Sequence, residues 1–324
     1  MLPRRAWPIL VLLLVFIVGC GGAGGGGATE SGERVKVAAT ISVIGDLAEH
    51  VGGDRVEVST IVPVGGSPET FQPSPRDAGR ISEARVVFEN GLGLDAWVED
   101  LVESAGDENQ RVVELSAGLE PIGVDEPGSK KEHHGAEDGA EEEDEEGGHE
   151  RAGGNPHFWL DVANAEQYVE RIRDTLVEVD PGGAEEYEAN AEKYLAKLDE
   201  LDRYIKERAE SVPKERRKLV TFHDAFPYFA EAYGFELVGV ILQNPDAEPS
   251  SREVAEVVRT IEEENVPAVF TEPQFNSRLA DTIAREADVE VYELYSDTLT
   301  ENRAGDTYLA MMRTNIDRIT EALR

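Results

Sequence analysis

The sequence predicts an α/β protein: two Rossmann-like α/β lobes joined by a long rigid spine helix. Three observations carry this. Short apolar runs alternate with longer amphipathic stretches over 34–115, and the same alternation returns over 218–323. Between the two series, Tyr187, Ala191, Tyr194, Leu198, Leu201 and Ile205 recur at steps of four and three, the spacing of one helical stripe. Strands that alternate with helices imply largely parallel sheets with helices on both faces.

The first lobe opens with the alternating run 34–41 as a strand, followed by a short helix over 42–51 with Ser42 as its N-cap. Residues 56–62 read as the second strand, ended by Pro63 and the turn Gly65-Gly66-Ser67-Pro68. A helix over 77–83, a buried strand over 85–89, a helix over 94–104 and a strand over 111–115 complete the series. The composition then changes. Residues 125–154 are nearly all Glu, Asp, Gly, Lys and His, with too little apolar surface to offset the entropy of ordering them. They read as a disordered insertion. Helical periodicity resumes over 162–179 and stops at Asp180-Pro181-Gly182. A helix over 185–211 would then span roughly 40 Å at 1.5 Å per residue, long enough to lie along both lobes.

Beyond Pro213 the second lobe reads as a strand over 218–222, a helix over 224–233, and a strand over 237–242. A helix over 251–265, a strand over 268–271, a helix over 277–287, a strand over 290–294 and a final helix over 307–323 follow. The expected organisation is therefore a leader 1–20, a tether 21–33, an N-terminal lobe 34–182 carrying the insertion, a linking helix 183–211 and a C-terminal lobe 212–324.

The 324 residues, 40% of them hydrophobic, suffice for two ordinary cores. Acidic residues outnumber basic ones 67 to 31, for a formal charge of −36. Such a surface repels phosphate backbones, which argues against nucleic acid as a partner. The single cysteine, Cys20, rules out an intrachain disulfide and a thiolate metal cluster. Any metal site must draw on His, Asp and Glu.

The N-terminus accounts for that cysteine. Arg4 and Arg5 precede an apolar stretch, 6–18, too short to span a bilayer comfortably. Ile17-Val18-Gly19-Cys20 then resembles a bacterial lipobox, in which Cys20 becomes the acylated first residue of the mature chain. The glycine-rich run 21–27 would break any continuing helix and reads as a flexible tether. The chain is thus expected to be exported and lipid-anchored at the outer face of the cell membrane, or periplasmic.

Four segments place a potential metal ligand at the end of a strand or just past it: Gly66-Ser67-Pro68-Glu69-Thr70-Phe71-Gln72-Pro73, Asn155-Pro156-His157-Phe158-Trp159-Leu160-Asp161, Thr221-Phe222-His223-Asp224-Ala225-Phe226 and Tyr295-Ser296-Asp297-Thr298-Leu299. Open α/β sheets bind ligands outside the carboxyl ends of their strands, so four such loops from facing lobes could enclose one ion. These motifs, with Pro63-Val64-Gly65-Gly66-Ser67-Pro68, Asn90-Gly91-Leu92-Gly93-Leu94 and Thr271-Glu272-Pro273-Gln274-Phe275, resemble the solute-binding proteins of zinc and manganese ABC importers, the ZnuA/TroA type. The resemblance covers nearly all of the chain after the tether. It implies two lobes on a rigid helix, a metal held in the interlobe cleft, an ABC transporter permease as partner, and a monomer that is not an enzyme.

Carried over position by position, the resemblance implies Glu69, His157, His223 and Asp297 as ligands. Glu69 departs from the family, whose first motif reads Pro-His at this point. A carboxylate oxygen also binds zinc, and two carboxylates with two neutral imidazoles would balance a 2+ ion. His133, His134 and His149 lie in the insertion, where zinc-type relatives carry a His-rich loop; mobile imidazoles among carboxylates would gather cations there. The loop favours Zn2+ as the cargo, whereas the exchange of histidine for Glu69 favours Mn2+ as the alternative. A metallohydrolase of the same architecture would need a general base, for which Asp161, Asp224 or Glu272 could be nominated. Each more simply orients a ligand or a turn, and no nucleophile elbow, P-loop or dinucleotide fingerprint is present. A surface adhesin is the third reading.

Overall fold

The computed structural model describes residues 34–107, 109–123, 154–242, 249–301 and 304–324. The leader, the tether and the acidic insertion up to residue 153 lie outside the described residues.

The N-terminal lobe is a four-stranded parallel sheet in the order β2-β1-β3-β4, with β1 at Val35–Ala39, β2 at Val56–Thr60, β3 at Val86–Glu89 and β4 at Arg111–Glu114. Helices α1 (Ser42–Gly52), α2 (Pro75–Glu83), α3 (Trp97–Ala105) and α4 (Val162–Val179) cover it. The linking helix α5 runs from Ala184 to Glu210. The C-terminal lobe repeats the design: β5 (Lys218–His223), β6 (Glu236–Leu242), β7 (Ala268–Thr271) and β8 (Glu290–Glu293) lie parallel in the order β6-β5-β7-β8. Its helices are α6 (Pro227–Tyr233), α7 (Ser251–Glu264), α8 (Arg278–Ala287) and α9 (Tyr308–Ala322). The two lobes are thus doubly wound in the same order, as the alternation in the sequence predicts.

Strand composition follows burial. The inner strands β5 and β7 are covered on both faces and read as near-continuous apolar runs, whereas the edge strand β4 is mostly exposed. In the order β6-β5-β7-β8, the chain leaves β5 toward one edge and β7 toward the other. The crevice beyond their carboxyl ends is the switch point where such sheets bind ligands, and His223 and Glu272 stand there.

Helix α5 buries Tyr187, Ala191, Tyr194, Leu198, Leu201, Ile205 and Ala209, the stripe visible in the sequence. Its first half packs on α1 and α4, its second on α9, so the largest apolar cluster runs from Val37 through Trp159, Leu198 and Tyr295 to Leu323, with smaller clusters on the far faces of the two sheets. Hydrogen bonds add to that core between the lobes. Trp159 Nε1 donates to the Ser296 carbonyl at 2.9 Å, and the Tyr308 hydroxyl to the Trp159 carbonyl at 2.7 Å. The Tyr308 amide donates to Asp46 at 3.0 Å.

Local boundaries differ from the sequence reading in places. Ser42 is the first residue of α1 and not its cap; its hydroxyl accepts from the Leu299 amide at 2.8 Å, a tertiary contact between residues far apart in sequence. Helix α6 begins at Pro227 because proline suits the first helical turn, and Asp224 lies in the preceding turn. Helix α2 begins earlier than expected, at Pro75, under a capping box of Ser74 and Asp77.

Candidate metal centre

His223 is the last residue of β5, and Glu272 directly follows β7 on the adjacent strand. Glu272 Oε1 meets His223 Nδ1 at 2.7 Å. A carboxylate only accepts, so the Nδ1 proton is held there and Nε2, the nitrogen whose lone pair a metal would take in place of a proton, is turned into the cleft. His157 reaches the same point from the other lobe. It does not follow a strand; it sits in the turn before α4, shaped by Asn155. The Asn155 side-chain oxygen accepts from the His157 amide at 3.0 Å and meets His157 Nδ1 at 2.9 Å, which fixes the same tautomer. Asn155 is tied in turn to the C-terminal lobe, since its amide donates to the Asp224 carbonyl at 2.6 Å. Asp297 lies in the loop after β8. Asn315 of α9 anchors that loop by bonding both the amide and the carbonyl of Tyr295, at 2.9 and 2.7 Å.

These loops bring His157, His223 and Asp297 together. The two Nε2 atoms stand 3.4 Å apart. Asp297 Oδ1 lies 3.2 Å from His157 Nε2 and Oδ2 lies 3.5 Å from His223 Nε2. Donors around a tetrahedral ion with bonds of about 2.0–2.1 Å are about 3.3 Å apart, so the spacing of the two imidazole nitrogens and of Asp297 Oδ1 from His157 suits one small cation. All three side chains are at most 1% exposed, and Trp159 and Phe275 wall the two rings.

The electrostatics suit a cation as well. Burial alone would push the His223 imidazole down, but the charges of Glu272 and Asp297, and more weakly Glu69, raise it to about 10. Burial would likewise push the Asp297 carboxyl up, and the neighbouring imidazoles outweigh it, so Asp297 is held below the usual carboxylate range. A site that stabilises a buried proton this strongly has excess negative potential to offer a metal.

Glu69 stands half-buried on the loop after β2, in the N-terminal lobe, close enough to bear on His223. Among the described residues, the group whose donor atoms lie within 4.8 Å of one another contains His157, His223 and Asp297 and does not extend to Glu69. Cys20, His133, His134 and His149 lie outside the described residues. The three nominated bases have other work: Asp161 caps α4 through the Ala163 amide at 3.0 Å, Asp224 accepts from Asn155, and Glu272 holds His223. Asn155 and Gln274 lie in motifs visible in the sequence, but nothing there assigns them a role. An asparagine two residues before a histidine is the only local signal for the first.

Two parallel-sheet lobes on a common helix, with a buried cluster of two imidazoles and a carboxylate drawn from both, define a two-lobed protein with a donor set that could hold a cation. The chain belongs to the family described as "Zinc-uptake complex component A periplasmic" (ZnuA), whose profile matches residues 37–322. It is 36% identical over 317 residues to the manganese-binding lipoprotein MntA of Halalkalibacterium halodurans, covering 97% of each chain. It is 31% identical to the manganese ABC transporter substrate-binding lipoprotein PsaA of Streptococcus pneumoniae, covering 99% of each. Among solved structures it resembles the periplasmic zinc-binding protein TroA of Treponema pallidum, with TM-score 0.75 and 26% identity over 90% of this chain and 99% of that one. A manganese-bound periplasmic metal-binding protein of Candidatus Liberibacter asiaticus gives TM-score 0.74 and 26% identity, over 90% and 100%.

Proposed function

We propose that the chain is the extracytoplasmic solute-binding component of a metal ABC importer. It captures a divalent transition-metal ion as cargo in the cleft and delivers it to a membrane permease. His157, His223 and Asp297 are the primary ligands and Glu69 the fourth donor. The observation that carries the reading is the enclosed donor cluster contributed by both lobes: two imidazole nitrogens 3.4 Å apart and the Asp297 carboxylate, with one donor atom from each residue lying within 4.8 Å of the others. Binding that needs ligands from each lobe links capture to the interlobe geometry, which is what a permease can read. Cys20 supplies the membrane anchor, a reading supported by relatives whose names call them lipoproteins. Among the described residues no helix is long and apolar enough to cross a membrane.

Zinc is the first reading of the cargo. Two imidazoles and a small set of enclosed donors suit a four-coordinate ion. Manganese is the second: a site with two carboxylates among its four donors leans toward harder ions, and the relatives at 36% and 31% identity are named for manganese. Metal analysis of protein purified without chelator, followed by competition between zinc and manganese, tests both. One tightly bound ion per chain is expected, with severe weakening in His157→Ala and in His223→Ala. Undiminished binding in both variants would sink the ligand assignment. Growth of a deletion strain should fail only in metal-poor medium; a defect that ignores metal supply would favour an adhesin.

A further inference from the structure

We infer that Gln274 is a positioning residue that sets metal preference: its amide holds one oxygen of Asp297, leaves the other to the metal, and so favours a four-coordinate ion. The inference rests on the ligand reading above. Gln274 lies just past β7, beside the switch point. Its Nε2 faces three acceptors: Ser296 Oγ at 2.9 Å, Glu272 Oε2 at 3.1 Å and Asp297 Oδ2 at 3.3 Å. The Ser296 hydroxyl is itself committed as a donor to Glu272 Oε2. The orientation of the amide follows from this, since reversing it would turn a carbonyl oxygen against two carboxylates.

The two oxygens of Asp297 therefore differ. Oδ2 accepts from the Gln274 amide at 3.3 Å and lies 3.5 Å from His223 Nε2. Oδ1 is shielded from solvent and accepts no hydrogen bond among the described residues, although His157 Nε2 stands 3.2 Å away. A buried carboxylate oxygen without a donor is costly on its own, and a cation offsets that cost. Oδ1 is thus the atom presented to the ion, and Asp297 binds through one oxygen. That suits zinc, which takes four ligands. Manganese prefers an octahedral, oxygen-rich shell. With four protein donors, such a shell is approached only when carboxylates contribute both oxygens or water enters. The site is enclosed, so withholding Oδ2 penalises manganese more than zinc.

The test measures zinc and manganese affinity in the mature chain and in Gln274→Met, which keeps the side-chain length and removes the donor. Ser296→Ala serves as the control, because it changes a neighbour of the same amide and leaves the contact with Asp297. We expect the ratio of manganese to zinc Kd to fall about tenfold in Gln274→Met, the lower end of the effect of outer partners on metal affinity. It should stay near the parent value in Ser296→Ala. An unchanged ratio in folded Gln274→Met overturns the inference. Should that variant fail to fold, X-ray absorption on the manganese-loaded parent decides. A first shell of fewer than six donors supports the inference, and a six-donor shell overturns it. Asp297→Ala separates this from the ligand reading: if it binds metal as tightly as the parent, that reading has failed, whereas weakened binding with an unchanged ratio in Gln274→Met removes the role of Gln274 alone.

Discussion

At the scale of single residues, the proposed centre is expected to exchange a proton for a metal ion. His223 is raised to about 10 by the surrounding carboxylates, so at pH 7–8 it carries a proton that a metal must displace. Affinity should therefore rise with pH from about 7 to about 10, by up to tenfold per unit, and not level off above the ordinary imidazole range near 6.5. Calorimetric titration at pH 8 in two buffers of different ionisation enthalpy should find about one proton released per ion bound. Zero release would mean that His223 is neutral before binding. The same shift bears on folding. A histidine whose pKa is raised in the folded state stabilises fully below the unfolded value near 6.5, and loses that contribution as pH rises through about 10. The Tm of the metal-free protein should fall across that window, and replacing His223 with Asn should flatten the slope. The residues behind this chemistry divide in how far the sequence reveals them. His157, His223 and Asp297 lie in loops with recognisable local patterns. Gln274 and Asn155 act on partners in other segments, and such pairings depend on the tertiary fold.

At the scale of elements, α5 is the member whose sequence and role agree most fully. Its apolar stripe is periodic over the helix and the buried residues are those of the stripe. Period and length are local properties, so this helix and both series of alternating strands were legible. The start of α1 was not, because Ser42 is drawn to Leu299 by a contact 257 positions away in sequence. Leu198 is fully buried at the middle of α5, in the core shared by both lobes. Leu198→Ala should cost about 2–5 kcal/mol. Because the core is continuous, chemical denaturation should still show one transition at lower denaturant, with far-UV and near-UV signals coincident. Two separated transitions would show that the lobes fold independently and that α5 is only a connector.

At the scale of the whole molecule, the two lobes are locked together around the site more than a lone helix would require. Polar ties such as Trp159 to Ser296 and Asn155 to Asp224 flank the buried cluster of His157, His223 and Asp297. Ile122 and Asn155, which stand on either side of the acidic segment in sequence, are neighbours in the frame, since the Asn155 backbone amide donates to the Ile122 carbonyl at 2.8 Å. Replacing 124–153 with a short Gly-Ser turn should therefore leave the metal-free Tm nearly unchanged and keep one tight site, while weak additional zinc binding disappears. Loss of the tight site would mean that His133, His134 or His149 supplies a primary ligand. The central claim, capture between the lobes, is tested most directly by a crystal structure of the zinc-loaded protein. One ion is expected about 2.0–2.2 Å from His157 Nε2, His223 Nε2, a single Asp297 oxygen and a Glu69 oxygen. An ion coordinated by residues of one lobe alone would contradict it.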